Sequence, residues 1–309
     1  MKAIRIHEFG GPEVMRLEDL PIPSPGPNDV LVAVKAASLN PVDYKTREGK
    51  FPPVKAEQLP MVLGRDVAGV ATRFGEGVSD IAVDDEVYAM LPTDVGGFAE
   101  FVAAPARLFA RKPRSLDMVQ AASVPLAALT AWQGLFDHGG LRSGQRVLIH
   151  GASGGVGVFA VQFARAAGAD VLATCGGAQK AFVESLGASR AIDYEAERFE
   201  DLARDVDLVF DLVGGETQDR SWAVLKRGGA LICTVQAPDQ AKAEAAGVRA
   251  ERYMAEPSGE QLAEIGRMID DGKVQVKLDR VFPLDQAAEA ETHLQNDHVV
   301  GKVVLSVGG

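Results

Sequence analysis

The sequence predicts an α/β protein that combines a strand-rich N-terminal domain with a second domain built on a doubly wound parallel sheet. In the first hundred residues, short apolar stretches are separated by Gly and Pro, which is typical of a small β domain. From about residue 119, apolar strands alternate with helices, which indicates a parallel sheet covered on both faces. A chain of 309 residues with 47% hydrophobic content is long enough to bury two cores.

Short strands dominate the N-terminal part of the chain. We predict strands at residues 30–34, 67–72, 86–90 and 98–103, where apolar and β-branched residues cluster between turns. Residues 21–27 carry a proline at every second position, so this connection cannot be helical. The pattern favours a compact, barrel-like β domain.

Helices and apolar strands alternate through the middle of the chain. The predicted strands span residues 146–150, 170–174, 207–211 and 230–234, and the predicted helices span residues 155–168 and 179–186. Residues 119–135 form the most apolar stretch, but Gln, Ser, Pro and Thr interrupt it. We therefore predict a buried helix there and no membrane span.

The last fifty residues change pattern again. A capping box at residues 258–261 precedes an amphipathic helix, and we place Asp285 at the N-cap of a second helix ahead of a strand at 301–305. Two helices and one strand have too little core to stand alone, so we expect this segment to return to the first domain. The predicted domains are residues 1–122 completed by 257–309, and residues 123–256.

The net charge and the cysteine content of the chain disfavour several kinds of binding partner and metal site. The chain has 43 acidic and 32 basic residues and a net charge of −11, which disfavours nucleic acid and anionic membrane surfaces. Its two cysteines, Cys175 and Cys233, cannot form a disulfide framework or a four-cysteine zinc site. Residues 1–6 alternate like a strand and lack the apolar segment of a signal peptide. We expect a cytoplasmic protein with a small-molecule substrate.

A glycine-rich loop gives the strongest local signal. It follows a predicted strand and opens a predicted helix, the arrangement in which backbone N–H groups bind a pyrophosphate. The alternative is a Gly-rich turn that binds nothing. The loop consists of Gly151, Ala152, Ser153, Gly154, Gly155, Val156 and Gly157.

The next strand indicates which nucleotide binds. It ends at residues 173–177 without an Asp or Glu that would accept from the 2′-hydroxyl of NAD. Lys180 follows within a few residues, and a cation without a nearby carboxylate suits the 2′-phosphate of NADPH. The alternative is that Lys180 is a solvated helix lysine.

Five motifs lie in order along nearly the whole chain, at residues 40–45, 63–69, 151–157, 211–215 and 301–305. Together with the mid-chain glycine loop, they resemble the zinc-independent quinone oxidoreductase branch of the medium-chain dehydrogenase/reductase superfamily. The Asn-Pro-Val-Asp form at residues 40–43 is also similar to plant enone and alkenal reductases. The resemblance implies a GroES-like β-barrel catalytic domain and a Rossmann-type cofactor domain.

The zinc alcohol dehydrogenases of this superfamily carry a Cys where Asn40 stands and a His-Glu pair where Arg65 and Asp66 stand. Zinc requires three or four converging Cys, His or carboxylate ligands, and the five histidines show no such spacing. We expect no metal, so reduction of an already activated acceptor is favoured over alcohol dehydrogenation.

The resemblance implies hydride transfer from NADPH to a quinone or to the β-carbon of an enone. It places Asn40 beside the nicotinamide, where its amide would donate to the developing enolate oxygen. Tyr44 and Lys45 are candidate proton donors, although Tyr44 could equally be a packed aromatic and Lys45 a surface residue. Asp43 could be a cap on the turn after Asn40.

The other implied cofactor contacts lie close to the nicotinamide ribose, the 2′-phosphate, or the ends of later strands. They are Thr130 at the ribose, Gly176, Lys180 and Tyr194 at the phosphate, and Val213, Gly214, Val235 and Gln236 at the strand ends. Cys175 is a further candidate at the adenosine end, or else a small buried apolar residue.

Two other functions stay open at this stage. One is a one-electron quinone reductase, and the other is a scaffold or crystallin-like protein that binds NADPH without turnover. By analogy with the family, we expect a homodimer formed through edge strands of the cofactor domain.

Overall fold

The computed structural model describes residues 1–308, which form two compact units. Unit 1 contains Met1–Leu129, Pro257–Gly272 and the residues from Val276 onward. Unit 2 contains Thr130–Glu256 and the short segment Lys273–Gln275. The chain therefore leaves unit 1 twice, for residues 130–256 and again for the short segment 273–275, and returns to it each time.

The helices and strands follow one another as three groups along the chain. The N-terminal group is β1 (Lys2–Ile6), β2 (Arg16–Asp19), β3 (Asp29–Ser38), α1 (Pro41–Arg47), β4 (Met61–Val62), β5 (Asp66–Phe74), β6 (Glu86–Met90), β7 (Phe101–Pro105), β8 (Phe109–Arg111), α2 (Met118–Ala122) and α3 (Pro125–Trp132). The middle group is β9 (Arg146–His150), α4 (Gly155–Ala166), β10 (Asp170–Cys175), α5 (Lys180–Leu186), β11 (Arg190–Asp193), α6 (Phe199–Leu202), β12 (Val206–Asp211), α7 (Gly215–Ser221), β13 (Leu225–Cys233), α8 (Gln240–Ala246) and β14 (Arg249–Arg252). The C-terminal group is α9 (Gly259–Asp270), β15 (Leu278–Pro283), α10 (Ala287–Asn296) and β16 (Lys302–Ser306).

Unit 1 is built around a mixed sheet in the order β15-β16-β3-β5-β6-β8, with β7 also paired to β3. Strand β3 lies between β16 and β5 and runs antiparallel to both. In this register Ser38 stands opposite Asp66 on one side and Val304 on the other. The C-terminal strand β16 is thus brought next to the segment that leads into α1.

Unit 2 contains a six-stranded parallel sheet in the order β11-β10-β9-β12-β13-β14. The chain goes from β9 to β10 on one side and later places β12 on the other side of β9. This reversal leaves a crevice at the carboxyl end of β9, where open α/β sheets bind their ligands. The buried core beneath it includes Leu148, Ile192 and Leu231.

Two predictions about helices are wrong. Residues 119–135 do not form one helix, because α2 ends at Ala122 and α3 begins at Pro125, whose ring disfavours a helical residue before it. Asp285 does not cap the last helix. It lies inside a 3-10 turn at Leu284–Gln286, and α10 begins only at Ala287.

Other boundaries agree with the sequence more closely. Ser258 is the N-cap of α9 as predicted, and its hydroxyl oxygen accepts the N–H of Gln261 at 3.2 Å. The strand predicted at 98–103 is displaced to Phe101–Pro105, and the one predicted at 230–234 begins earlier, at Leu225. Among the helices of residues 1–308, none has the length and apolar character needed to cross a lipid bilayer.

Candidate functional site

Asn40 is the N-cap of α1, in extended conformation after β3, and only 2% of its surface is exposed. The Asp43 carboxylate oxygen Oδ2 accepts the Asn40 backbone N–H at 2.7 Å, so Asp43 is the structural cap of this turn. Pro41 follows at the first helical position, where its missing N–H costs no hydrogen bond. Burial raises the pKa of the Asp43 carboxyl to about 7.

The Asn40 side chain is bonded at both ends. Its Nδ2 donates to Asp66 Oδ2 at 2.8 Å, and its Oδ1 accepts from Lys302 Nζ at 2.5 Å. Lys302 Nζ also donates to the carbonyl oxygen of Leu39 at 2.7 Å. We call Ser38, Asn40, Asp66 and Lys302 the Asn40 cluster.

Asp66 accepts hydrogen bonds from three directions although it is fully buried. Its Oδ2 accepts from Ser38 Oγ at 2.9 Å as well as from Asn40, and its Oδ1 accepts the Leu126 N–H at 2.8 Å. Lys302 Nζ lies 3.7 Å from Oδ2. Burial raises the pKa of Asp66 and lowers that of Lys302, while their mutual attraction acts in the opposite direction on both.

Tyr44 and Lys45 follow on α1, and both are partly buried. Burial, followed by the nearby carboxylates of Glu48 and Glu291, raises the pKa of the Tyr44 phenol. The phenol therefore keeps its proton at neutral pH, as a proton donor requires.

A small, open recess lies within unit 1 beside Asp43. Its walls are largely apolar, with Asp43 and Arg65 as the charged members. Arg65 is anchored through Nε, which donates to the Leu91 carbonyl oxygen at 2.6 Å. The lining residues are Asp43, Thr46, Phe51, Val54, Met61, Val62, Leu63, Gly64, Arg65, Thr93 and Val95.

In unit 2 the glycine loop joins β9 to α4. Gly151 has φ of +75°, a conformation that favours glycine. A Cβ on Gly157 would lie 2.2 Å from the Gly151 carbonyl oxygen, so the close approach of α4 to the loop requires glycine there. Gly154 is the N-cap of α4 and supplies no capping side chain, so the first N–H groups of α4 remain available to a phosphate.

The predicted 2′-phosphate residues come from loops after the neighbouring strands β10 and β11. Gly176 follows β10, Lys180 begins α5, and Tyr194 follows β11 with 53% of its surface exposed. Lys180 Nζ lies 2.6 Å from Glu197 Oε2, so the ammonium has a carboxylate neighbour that the sequence did not predict. Cys175 is 2% exposed, and burial raises the pKa of its thiol to about 11, which fits a small buried apolar residue.

The later strand-end residues lie at the carboxyl edge of the same sheet. Val213 and Val235 follow β12 and β13 with 49% and 44% of their surfaces exposed, which is unusual for valine. Gly214 precedes α7, and the Gln236 side chain accepts the N–H of Gly215 at 3.0 Å. The loops after β9, β10, β12 and β13 thus collect most of the predicted cofactor residues at one edge.

Thr130 is the first residue of unit 2 and is 6% exposed. Its carbonyl oxygen accepts the Tyr253 hydroxyl proton, a contact buried within unit 2. The backbone at Thr130 is therefore fixed by a tyrosine more than a hundred residues away.

Two charged members of the Asn40 cluster received no role in the sequence analysis. Asp66 and Lys302 both lie within motifs that the family resemblance identified, but the resemblance assigned them no contact. The available signal was a lysine inside the apolar run of β16, where Val303, Val304 and Leu305 are fully buried. A charged side chain buried at such a position needs a buried side chain of opposite charge or a hydrogen-bond partner.

No group of three or more His, Cys, Asp or Glu side chains is placed to hold a metal ion within residues 1–308. Around Asn40 the buried cation is instead the Lys302 ammonium.

His150, at the end of β9, is buried between Thr174 Oγ1 (3.0 Å) and Ser221 Oγ (3.1 Å). Burial lowers its pKa to about 4, so it is neutral.

The chain is similar to known proteins along its whole length. The alcohol dehydrogenase GroES-like domain family matches residues 26–114, and the zinc-binding dehydrogenase family matches residues 186–305. The NADPH-dependent alkenal/one oxidoreductase of Arabidopsis thaliana chloroplasts is 37% identical, over 99% of this chain and 79% of its own length.

Solved structures agree with these sequence matches. The quinone oxidoreductase from Coxiella burnetii has a TM-score of 0.91 at 35% identity, covering 100% of this chain and 99% of its own. The Escherichia coli quinone oxidoreductase complexed with NADPH has a TM-score of 0.89 at 27% identity, covering 99% of this chain and 100% of its own. The predicted α/β fold class, with a GroES-like domain and a Rossmann-type domain, is confirmed.

Proposed function

Because this chain belongs to the quinone oxidoreductase and alkenal reductase branch of the medium-chain dehydrogenase/reductase superfamily, we propose that it uses NADPH to reduce quinones or α,β-unsaturated carbonyl compounds. The names of the relatives support both acceptor classes, since one is an alkenal/one oxidoreductase and others are quinone oxidoreductases. Their names and titles also support NADPH as the cofactor.

The observation that carries the proposal is the βα turn after β9. Gly157 leaves no room for a side chain against Gly151, and Gly154 leaves the first turn of α4 uncapped. We assign Gly151, Ala152, Ser153, Gly154, Gly155 and Val156 to the pyrophosphate. When bound, NADPH supplies the hydride that reduces the acceptor.

The polar groups of unit 1 suit the acceptor. We assign to Asn40 Nδ2 the donation of a hydrogen bond to the acceptor oxygen that gains negative charge during reduction. Tyr44 and Lys45, which follow on α1, are assigned the delivery of the proton.

We propose that this chemistry needs no zinc. An amide occupies position 40, and its oxygen already accepts from an ammonium 2.5 Å away. A second cation at this position would face the repulsion of a buried positive charge. Metal analysis of the purified protein tests this, and stoichiometric zinc that is lost together with activity on chelation would refute it.

The primary experiment follows absorbance at 340 nm with NADPH or NADH over a panel of quinones, enones and 2-alkenals. We expect oxidation of NADPH by at least one class and a clear preference over NADH. NADPH carrying deuterium at both C4 positions should deliver the label to the β-carbon of an enone product. NADPH oxidation that never labels the product would contradict hydride transfer to carbon.

Two alternatives have separate tests. A one-electron quinone reductase would generate a semiquinone detectable by electron paramagnetic resonance, and we expect none above the uncatalysed level. A scaffold or crystallin-like protein would bind NADPH in calorimetry without oxidising it in any acceptor assay. The presence of a buried Asn40 amide in unit 1 as well as the glycine loop in unit 2 supports an enzyme, because a scaffold has no need of a group for an acceptor.

We also propose a cellular location and an oligomeric state for the protein. A cytoplasmic location is supported by two buried free cysteines, although the Arabidopsis relative is chloroplastic. A homodimer through the edge strand β14 of unit 2 is supported by its open hydrogen-bonding edge. Light scattering after gel filtration would identify a monomer and refute the dimer.

A further inference from the structure

We propose that Lys302 is a positioning residue that holds the Asn40 amide in one orientation for its contact with the acceptor. The inference rests on the proposed function, since that contact matters only if an acceptor is reduced. It assigns a role to a lysine 262 residues away from Asn40 in sequence.

The two ends of the Asn40 amide meet partners of opposite kind. An ammonium only donates hydrogen bonds, and Lys302 Nζ faces Oδ1 at 2.5 Å. A carboxylate only accepts, and Asp66 Oδ2 faces Nδ2 at 2.8 Å. Rotating the amide by half a turn would oppose two donors on one side and two acceptors on the other. The cluster therefore permits a single orientation.

This orientation leaves one group for the acceptor. Of the two Nδ2 protons, one is directed at Asp66 Oδ2, and we assign the second to the acceptor oxygen. The ammonium at Oδ1 draws electron density from the amide, which makes the remaining N–H a stronger donor. Lys302 thus acts on the acceptor through Asn40 rather than by touching it.

A purely structural role would not require a lysine here. The Lys302 side chain is 5% exposed within an otherwise apolar strand, and its burial carries a desolvation cost. Apolar residues of similar volume often replace buried ion pairs with no loss of stability. Its hydrogen bonds to Leu39 O and Asn40 Oδ1 instead fix the backbone and side chain at the start of α1.

The first test compares Lys302→Met with Lys112→Met. Lys112 is a matched control, because its side chain is 6% exposed and its Nζ donates to the carbonyl oxygens of Pro113 and Leu116, away from the cluster. We expect Lys302→Met to lower kcat about 10- to 100-fold. The KM for NADPH should change less than about twofold, because the cofactor loop is untouched. A folded Lys302→Met protein with wild-type kcat would overturn the proposal.

A double-mutant cycle separates positioning from a general structural effect. If Lys302 acts through Asn40, then Lys302→Met in an Asn40→Ala background should change kcat by less than about twofold. An independent structural effect would instead multiply with that of Asn40→Ala. Multiplying losses would therefore contradict the proposal.

A spectroscopic readout needs no activity. The chain contains three asparagines, Asn28, Asn40 and Asn296, so asparagine labelled with ¹⁵N gives three side-chain amide pairs. The pair that disappears in Asn40→Ala is assigned to Asn40. We expect Lys302→Met to shift this pair and Lys112→Met to leave it in place. An unmoved pair would refute the positioning role.

The two proposals can fail separately. Wild-type protein that reduces no acceptor would refute the proposed function, whereas an unshifted Asn40 signal would refute the role of Lys302 alone. If Lys302→Met does not fold, the double variant Asp66→Asn with Lys302→Met removes both buried charges and is measured in the same way. Its Asn40 signals should differ from those of Asp66→Asn alone, and signals identical to those of that single variant would count against the proposal.

Discussion

Lys180, at the start of α5, forms an ion pair with Glu197 in unit 2, with Nζ and Oε2 2.6 Å apart. Glu197 Oε2 also accepts the Asp193 N–H at 2.9 Å, which fixes the carboxylate. The hydrogen bond between Lys180 and Glu197 raises the pKa of Lys180 and lowers that of Glu197. If Lys180 binds the 2′-phosphate, the phosphate competes with Glu197 for the ammonium, and we propose that this competition sets how strongly NADPH is preferred over NADH.

Lys180→Met should raise the KM for NADPH about tenfold or more and leave the KM for NADH nearly unchanged, because a charge-assisted bond to phosphate is lost. Glu197→Gln should lower the KM for NADPH by freeing the ammonium. Initial rates with each cofactor measure both effects. Lys242→Met is the control, since Lys242 pairs with Asp219 at 2.7 Å in the same unit. Equal effects on both cofactors would remove Lys180 from the 2′-phosphate site.

Tyr44 is the residue whose assignment as proton donor can be tested most directly. Tyr44→Phe keeps the ring and removes the proton, so we expect kcat to fall roughly 10²-fold. Lys45→Met provides the comparison for the second candidate on α1. Stopped-flow or steady-state rates with an enone decide between them, and a Phe variant with wild-type kcat would exclude Tyr44.

At the scale of elements, α1 and α10 are joined by a buried contact between an arginine and a glutamate side chain. Arg47 Nη1 lies 3.2 Å from Glu291 Oε2, and both side chains are fully buried. Arg47 Nη2 also donates to Gln295 Oε1 at 3.2 Å. Burial, followed by the nearby Asp43 and Glu48 carboxyls, raises the pKa of Glu291 to about 8 against the opposing effect of Arg47.

This shift predicts a pH-dependent stability. A carboxyl whose pKa is higher in the folded state than in the unfolded chain holds its proton there between about pH 4.5 and 8, so its contribution is lost as pH rises through that window. We expect Glu291→Gln to remove a decline on the order of 4 kcal/mol in the unfolding free energy. Urea denaturation at several pH values measures the difference between variant and wild type. If the unfolding free energies of the variant and the wild type change with pH in parallel, the raised pKa of Glu291 is contradicted.

The elements differ in how far sequence could predict them. The periodicity of hydrophobic residues and the glycine pattern were sufficient to predict β9, α4 and β10, because these features are local. The break at Pro125 was missed because the apolar composition continues across it. The bonds of Lys302 to Asn40 and of Arg47 to Glu291 could not be predicted, since they join residues more than 240 positions apart and depend on how strands and helices pair.

The two units of the whole molecule can be observed separately. Both tryptophans, Trp132 and Trp222, belong to unit 2, so tryptophan fluorescence reports on that unit alone. Unit 2 also contains the glycine loop and Lys180. A ligand that binds to unit 2 should therefore raise the unfolding temperature measured by tryptophan fluorescence.

We expect NADP⁺ at about 100 times its Kd to raise the fluorescence-detected Tm by about 5–10 °C, because binding to the folded state adds about 2.7 kcal/mol. NAD⁺ at the same concentration should raise it less. Fluorescence melts with matched absorbance correction provide the measurement. Identical shifts for the two nucleotides would contradict the assigned preference for the extra phosphate.

The position of Lys302 in the chain also has a consequence for biosynthesis. Asn40 and Asp66 are translated early, but the ammonium that pairs with the Asp66 carboxylate and donates to Asn40 emerges from the ribosome more than two hundred residues later. Until then the carboxylate has no cation to accompany it into a dry interior, so the nascent N-terminal segment should stay loosely organised and accessible to proteases and chaperones. The middle of the chain carries its own sheet and can become compact first.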